Sequence, residues 1–252
     1  MGHEWVKRVW IDRDFLPEEN PDDYAFIPAS VFDNRHLIKN DPAYLKNLKS
    51  LPEKLRKAYL YGSWDIIDGQ FFTEWRPDLH VCKPFDIPES WKKVAALDYG
   101  YSNPTSILWI AQDPTDGTVY VYRQRRDTKW LYGDVLDNLQ ESTGKEKLYA
   151  TLADPALRVK SADTGTSFFD LATLRRMNII PANNDRKSGA QLIRQLLKPY
   201  SEPHPNGAKA GLQVFETCES LIRTLPKLVH DKVEVEDVDT KGDDHDFDAL
   251  KY

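Results

Sequence analysis

Val94-Ala95-Ala96-Leu97 is a short apolar run that stops abruptly at Asp98, and no other stretch of the chain limits its fold so tightly. An apolar run of this length, bounded by charged and turn residues, marks a strand buried on both faces. Two more strands follow closely. Ser106 to Gln112 is one, Asp113-Pro114-Thr115-Asp116-Gly117 is a turn, and Thr118 to Arg125 alternates as the next. Helices and strands then take turns. Leu131 to Glu141 reads as a helix, and Leu148 to Ala153 as a strand halted by Asp154-Pro155. Helices are expected at Phe168 to Asn178 and Ser188 to Leu197, with a strand at Ile179 to Ala182 between them. A strand at Leu212 to Phe215 leads into a helix that Thr217 caps and that runs to Val229, and a last helix begins at Asp243 or Asp244. This order predicts an α/β fold with a mixed sheet, an antiparallel hairpin followed by parallel strands, flanked by helices.

That order of elements is the RNase H-like arrangement, and it occupies residues 93–252. Residues 1–92 differ in character. Their prolines (Pro17, Pro21, Pro28, Pro42, Pro52, Pro77, Pro84 and Pro88) interrupt any regular periodicity. A strand is predicted at Val6 to Ile11. A helix is predicted from Asp41 to Tyr61, with Asp41 as its cap, Pro42 in its first position and a break at Pro52. Residues 1–92 therefore read as an irregular linking or wrapping segment.

Composition decides two further points. No apolar run approaches the ~20 residues of a membrane span, so a membrane partner is not expected. Cys82 and Cys218 have neither a metal-binding spacing nor the makings of a disulfide framework, which suits a reducing compartment. The net charge of −6 weighs mildly against a nucleic-acid partner, but its distribution matters more than its sum. Acidic residues crowd Asp231 to Asp248, whereas Arg123, Arg125, Arg126 and Lys129, then Arg175 and Arg176, then Arg186 and Lys187 are basic clusters. A hydrolase that holds cations beside a phosphate backbone needs both poles.

Asp98 and Asp154 each end an apolar strand. Either alone is a turn residue as readily as a ligand, but two adjacent strand ends bring two carboxylates within reach of one ion. The third group is Asp244-His245-Asp246-Phe247-Asp248. Residues three or four apart share a helix face, so Asp244, His245 and Asp248 point one way while Phe247 and Leu250 pack inward. A capped, acidic helix start explains Asp243 and Asp244, but not Asp248. Oxygen ligands without cysteine select Mg²⁺ or Mn²⁺. Two such ions activate a water and stabilise the leaving 3′ oxygen of a phosphodiester, giving 5′-phosphate and 3′-hydroxyl ends. The expected ligands are Asp98 in the bridging position, Asp154 and Asp248 on either side, and Asp244, with His245 either orienting water or phosphate or serving as a lesser ligand.

At these residues the sequence resembles the large terminase family of tailed phages. Asp98-Tyr99-Gly100-Tyr101-Ser102-Asn103-Pro104 looks like the first acidic motif of that family, Ala153-Asp154-Pro155 like the second, and Asp244-His245 through Tyr252 like the third. Phe26 to Asn34, Gly62-Ser63-Trp64-Asp65 and Gly69-Gln70-Phe71-Phe72 look like the segment that joins ATPase to nuclease. The resemblance implies a metal-dependent endonuclease that cuts double-stranded viral DNA concatemers during packaging, in the cytoplasm of an infected bacterial host. It also implies an ATPase domain, a small terminase subunit and a portal as partners. No G-x-x-x-x-G-K-[ST] loop occurs, since Gly144-Lys145 is followed by Glu146 and position 139 is Leu, so no ATP site is expected in this chain. Met1 to Glu4 has no signal-peptide features, and Val6 to Asp12 reads as a remnant of the ATPase domain.

For DNA, Arg186 and Lys187 are the first candidates, at a helix start whose Ser188-Gly189 amides suit a phosphate. Arg123, Arg125, Arg126 and Lys129 come next, although solvated charge explains any one of them. Such contacts hold the backbone without reading bases, so little sequence specificity is expected. Two other readings remain open: an RNase H-like resolvase or transposase, and a non-catalytic module that docks on portal or capsid through its acidic pole. A calcium-stabilised domain fails, because no 12-residue ligand loop is present.

Overall fold

The computed structural model describes residues 6–11, 13–50, 56, 59–60, 62, 69–161, 165–202, 207–234 and 236–252. The opening residues 1–4, the break expected at Pro52, the helix end at Tyr61 and Ser63-Trp64-Asp65 lie outside them. The chain forms two compact units, 1–68 and 69–252. The division falls well before residue 93. Val81–Cys82 is already a strand of the sheet, and Phe71, Phe72 and Trp75 are buried in the core of the second unit.

The first unit is built from short capped turns. Val6 to Ile11, expected as a strand, is helical instead, with a π-helical turn at Lys7–Ile11. One short run with no partner strand among the described residues of its unit gains nothing from extending. Arg8 within it is spent on both carboxylate oxygens of Glu19, at 2.7 and 2.8 Å. Asn34 caps helix α1 (Arg35–Asn40) and Asp41 accepts the Tyr44 N–H at the start of α2 (Pro42–Ser50). Ser30 and Asp33, in the segment Phe26 to Asn34, close a capped turn, with the Ser30 N–H donating to Asp33 at 2.6 Å.

The second unit is a seven-stranded mixed sheet. In chain order its strands are β1 (Val81–Cys82), β2 (Lys92–Asp98), β3 (Thr105–Gln112), β4 (Val119–Asp127), β5 (Ala150–Ala153), β6 (Ile179–Pro181) and β7 (Leu212–Phe215), arranged β1-β7-β4-β3-β2-β5-β6. β2, β3 and β4 are antiparallel neighbours, while β5, β6 and β7 and the edge strand β1 pair in parallel. The expected hairpin and crossovers are both present. Helices α3 (Pro77–His80), α4 (Tyr132–Thr143), α5 (Phe168–Leu174), α6 (Arg186–Leu196), α7 (Glu219–Thr224) and α8 (His245–Leu250) complete it. Ser106 and Trp109 on β3 are three residues apart and so face opposite ways. Ser106 bonds Asp246 of α8 and Trp109 bonds Thr143 of α4, which places these helices on opposite faces. None of the described helices is long and apolar enough to cross a membrane.

Several boundaries differ from expectation for local reasons. α7 starts after Cys218, with no bond from a capping side chain, and ends before Pro226, which cannot continue an α-helix. α5 stops at Leu174, two residues before Arg176 turns left-handed at φ 56°. Asp185 starts α6 earlier than Ser188, because its carboxylate accepts the Lys187 and Ser188 N–H groups.

His80 ties α3 to the rest. Its Nδ1 accepts the Arg76 N–H at 2.9 Å, so Nε2 carries the proton and donates to the Leu197 carbonyl at 2.9 Å. The ring is fully buried and stacked on Trp75, and burial holds its pKa below the ordinary value. Below the ordinary histidine pKa of ~6.5 the unfolded chain takes up a proton that the folded chain refuses, so stability falls with pH there. On going from pH 8 to pH 5.5, His80→Asn, which starts about 1–3 kcal/mol less stable, should change in melting temperature in the more favourable direction than wild type, because it lacks the buried ring whose protonation opposes folding.

Candidate metal centre

Asp98 is the last residue of β2, and the parallel register pairs Leu97 with Ala153, so Asp154 emerges beside it. Two carboxylates thus leave neighbouring strand ends together. The loop after each strand fixes its aspartate. Beyond Asp98 the chain folds tightly at Gly100, where a Cβ would stand 2.6 Å from the Asn103 carbonyl oxygen. Thr105 Oγ1 donates to the Gly100 carbonyl at 2.8 Å and closes that loop. Beyond Asp154, Pro155 begins a 3₁₀ turn, and Asp154 Oδ1 accepts the Ala156 N–H at 2.7 Å. Its Oδ2 accepts from Tyr252 Oη at 3.1 Å and from Asn184 at 3.4 Å.

Helix α8 lies across β2 and β3 and brings the third motif to the same edge. Its N-cap is Asp244. His245 Nδ1 stands 2.9 Å from Asp98 Oδ2, and that bond raises the His245 pKa above its ordinary value. Phe247 and Leu250 pack inward as expected. Lys251 reaches Asp248 Oδ1 at 2.6 Å. A Cβ on Gly189 of α6 would lie 2.7 Å from the Lys251 Cβ, so only glycine lets α6 and the Lys251 backbone meet this closely.

Tyr252 bonds Asp154 and lies within electrostatic reach of Asp98 and Asp248. Burial first, and then the carboxylates of Asp98, Asp154 and Asp248, push its phenol above the ordinary range. One hydroxyl therefore feels all three carboxylates. Even so, no group of three or more Asp, Glu, His or Cys side chains among the described residues stands ready as a metal cage. Asp98 is paired with His245, Asp154 with Tyr252, and Asp248 with Lys251 and Arg186. Asp244 accepts from Arg186 NH2 at 3.1 Å. Burial and the neighbouring Asp248 push it up to about 6, against the pull of Arg186. Crowded carboxylates take on whatever positive partners are within reach.

Arg186, the first choice for a DNA contact, faces inward. Its three nitrogens bond Asp237, Asp244 and Asp248, and its guanidinium lies over the Phe247 ring. The α6 start is no open phosphate cradle either, because Asp185 occupies its first amides. Arg123 pairs with Glu146, and Arg126 with Asp243 and Asp246. Exposed positions remain at Arg125, Lys129 and Lys187, the last paired with Glu234 at 2.8 Å. Cys82 and Cys218 are free thiols, pushed by burial up to about 11 and about 12.

The residue that sequence reasoning missed is Asp246. It is fully buried and accepts from Ser106, Gln124, Arg126, Ser220 and Thr224. Its signal was available: Asp246 lies four residues before the inward-facing Leu250, and Gln124 and Arg126 share one face of β4.

No protein-family profile and no curated protein matches the chain. Solved structures do. The large terminase of a thermophilic bacteriophage, in complex with ATP-γ-S, aligns at TM-score 0.59 and 18% identity, over 95% of this chain and 58% of that one. The nuclease domain of the P22 large terminase aligns at TM-score 0.56 and 18% identity, over 73% of this chain and 90% of that one. The large terminase nuclease of thermophilic phage G20c, with bound cobalt, aligns at TM-score 0.50 and 11% identity, over 74% and 96% respectively. This chain spans 58% of the length of the terminase bound to ATP-γ-S. What is shared at such identities is the fold, and the fold is the RNase H-like one of large-terminase nuclease domains.

Proposed function

We propose that the chain uses this fold as those nucleases do: it is the nuclease part of a tailed-phage large terminase and cuts double-stranded DNA during packaging. The observation that carries this reading is the emergence of Asp98 and Asp154 side by side at parallel strand ends, with α8 bringing His245 and Asp248 to the same edge. The donor set suits a hard divalent cation, since it is aspartate oxygen and one imidazole without thiolate. The G20c nuclease binds cobalt on the same fold. Asp98, Asp154 and Asp248, with Asp244 beside them, are the residues that would hold such ions. A pair of Mg²⁺ or Mn²⁺ ions supplies an activated water and a counter-charge for the leaving oxygen.

The chain's own groups have separable tasks. Asp98 fixes the His245 ring through Nδ1 and leaves Nε2 to orient water or phosphate. Tyr252 steadies Asp154. Arg125 near the end of β4 and Lys129 just beyond it, both exposed, take the DNA backbone without reading bases. Site choice, ATP-driven movement and docking belong to a small subunit, an ATPase domain and a portal.

Supercoiled plasmid tests this reading. The chain should nick and linearise it in Mn²⁺ or Mg²⁺ and leave 5′-phosphate ends, with no cutting in EDTA. Ends of the opposite polarity would exclude the two-ion chemistry. Intact DNA in every ion, together with no Mn²⁺ binding, would favour the docking module.

A further inference from the structure

Among the described residues of the second unit, Arg186 is the cation with the most hydrogen bonds to carboxylates, and the proposed nuclease chemistry gives it no task. It rises from the first turn of α6 to reach three aspartates on two other segments. Nε bonds Asp237 at 3.1 Å, NH2 bonds Asp244 at 3.1 Å, and NH1 contacts both oxygens of Asp248 at 2.5 and 2.7 Å. The guanidinium lies over Phe247, 5.2 Å from the ring centre, and only a fifth of the side chain is exposed. Lys251 adds a second cation on Asp248.

The carboxylates would not stay so close without this cation. Like charges gathered on one guanidinium in a half-buried site repel one another or force one group to hold a proton. A bound divalent ion relieves the same repulsion. Arg186 and the ions therefore serve the same charge, and they compete for the oxygens of Asp248.

We propose that Arg186 is the built-in counter-ion of the metal centre: it holds Asp237, Asp244 and Asp248 together when no ion is bound, and yields Asp248 when divalent ions enter. The inference rests on the metal-centre reading above. It assigns the residue a cost as well as a benefit, because a cation that stabilises the ion-free site weakens its affinity for ions.

The test compares wild type, Arg186→Gln and Arg186→Lys by thermal melting in EDTA and by Mn²⁺ titration, with free Mn²⁺ followed by its electron paramagnetic resonance signal. Arg186→Gln should melt lower than wild type in EDTA, bind Mn²⁺ about tenfold more tightly, and gain more melting temperature from Mn²⁺. Arg186→Lys keeps the charge but cannot span three carboxylates, so it should move the same way by less. It also supplies the answer if Arg186→Gln does not fold. Wild-type binding with unchanged or weaker Mn²⁺ affinity in the variants overturns the counter-ion role and leaves the metal centre standing. No Mn²⁺ binding by wild type overturns the metal centre, and this inference with it.

Discussion

Asp246→Ala should lower the unfolding free energy by ~3–5 kcal/mol, the size of effect that follows when one partner of a buried ion pair is removed. The Asp246 side chain is fully buried. Oδ1 accepts from Ser106 Oγ at 2.6 Å and Gln124 Nε2 at 2.9 Å, while Oδ2 accepts from Arg126 NH1 at 2.8 Å, Ser220 Oγ at 2.7 Å and Thr224 Oγ1 at 2.9 Å. These donors come from β3, β4 and α7, so a single carboxylate fastens α8 to three elements. Truncation removes this acceptor from Ser106, Gln124 and Ser220, and leaves Arg126, still held by Asp243, facing a small apolar gap with its guanidinium mostly out of water. Asp246→Asn should recover little, because its amide nitrogen would meet donors where an acceptor is required. The check is urea or guanidinium unfolding of the three proteins. A loss under about 1 kcal/mol for Asp246→Ala would show that water replaces the carboxylate and that the network carries little of the stability.

The contrast between Asp246 and its neighbours shows what the sequence could and could not disclose. The sheet was legible, because Val94 to Leu97 and Leu148 to Ala153 are apolar runs whose burial the flanking charges delimit. Asp98 and Asp154 were legible for the same reason, since a charge that ends a buried strand must emerge at an edge. Spacing within α8 put Phe247 and Leu250 inside, where both are buried. The identity of long-range partners was not legible. That Arg186 turns inward depends on Asp237, Asp244 and Asp248, which arrive from 51 to 62 positions away; a local reading sees only a basic helix start. The strand expected at Val6 to Ile11 failed for a similar reason: β-pairing is a property of two segments, and that run has no partner strand within its own unit among the described residues. Charge clusters in general declare that partners exist, but the fold decides whether those partners are solvent, phosphate or one another.

Asp98→Asn should cut the rate of plasmid cleavage by on the order of 10³-fold or more, which is several kcal/mol of transition-state stabilisation, while leaving the melting temperature within a few degrees of wild type. The two halves of this expectation rest on different observations. Asp98 ends a strand and its side chain is partly open to solvent, 14% exposed, and its one described side-chain bond is to His245. Asparagine is isosteric and can still accept from His245 through its amide oxygen, so packing survives. What it lacks is negative charge, and a hard divalent ion is held at such a site by charge. The shared bond also predicts a consequence for His245. Without a carboxylate at 2.9 Å, its pKa should fall back toward the ordinary value, since the Asp98 bond is the first cause of its rise, and the histidine signals in an NMR titration report this directly. Asp154→Asn should lose activity comparably and melt somewhat lower, because its carboxylate also caps the turn at Ala156 and accepts from Tyr252. If Asp98→Asn instead retained cleavage within tenfold of wild type, the strand-end pair would not be the reaction centre.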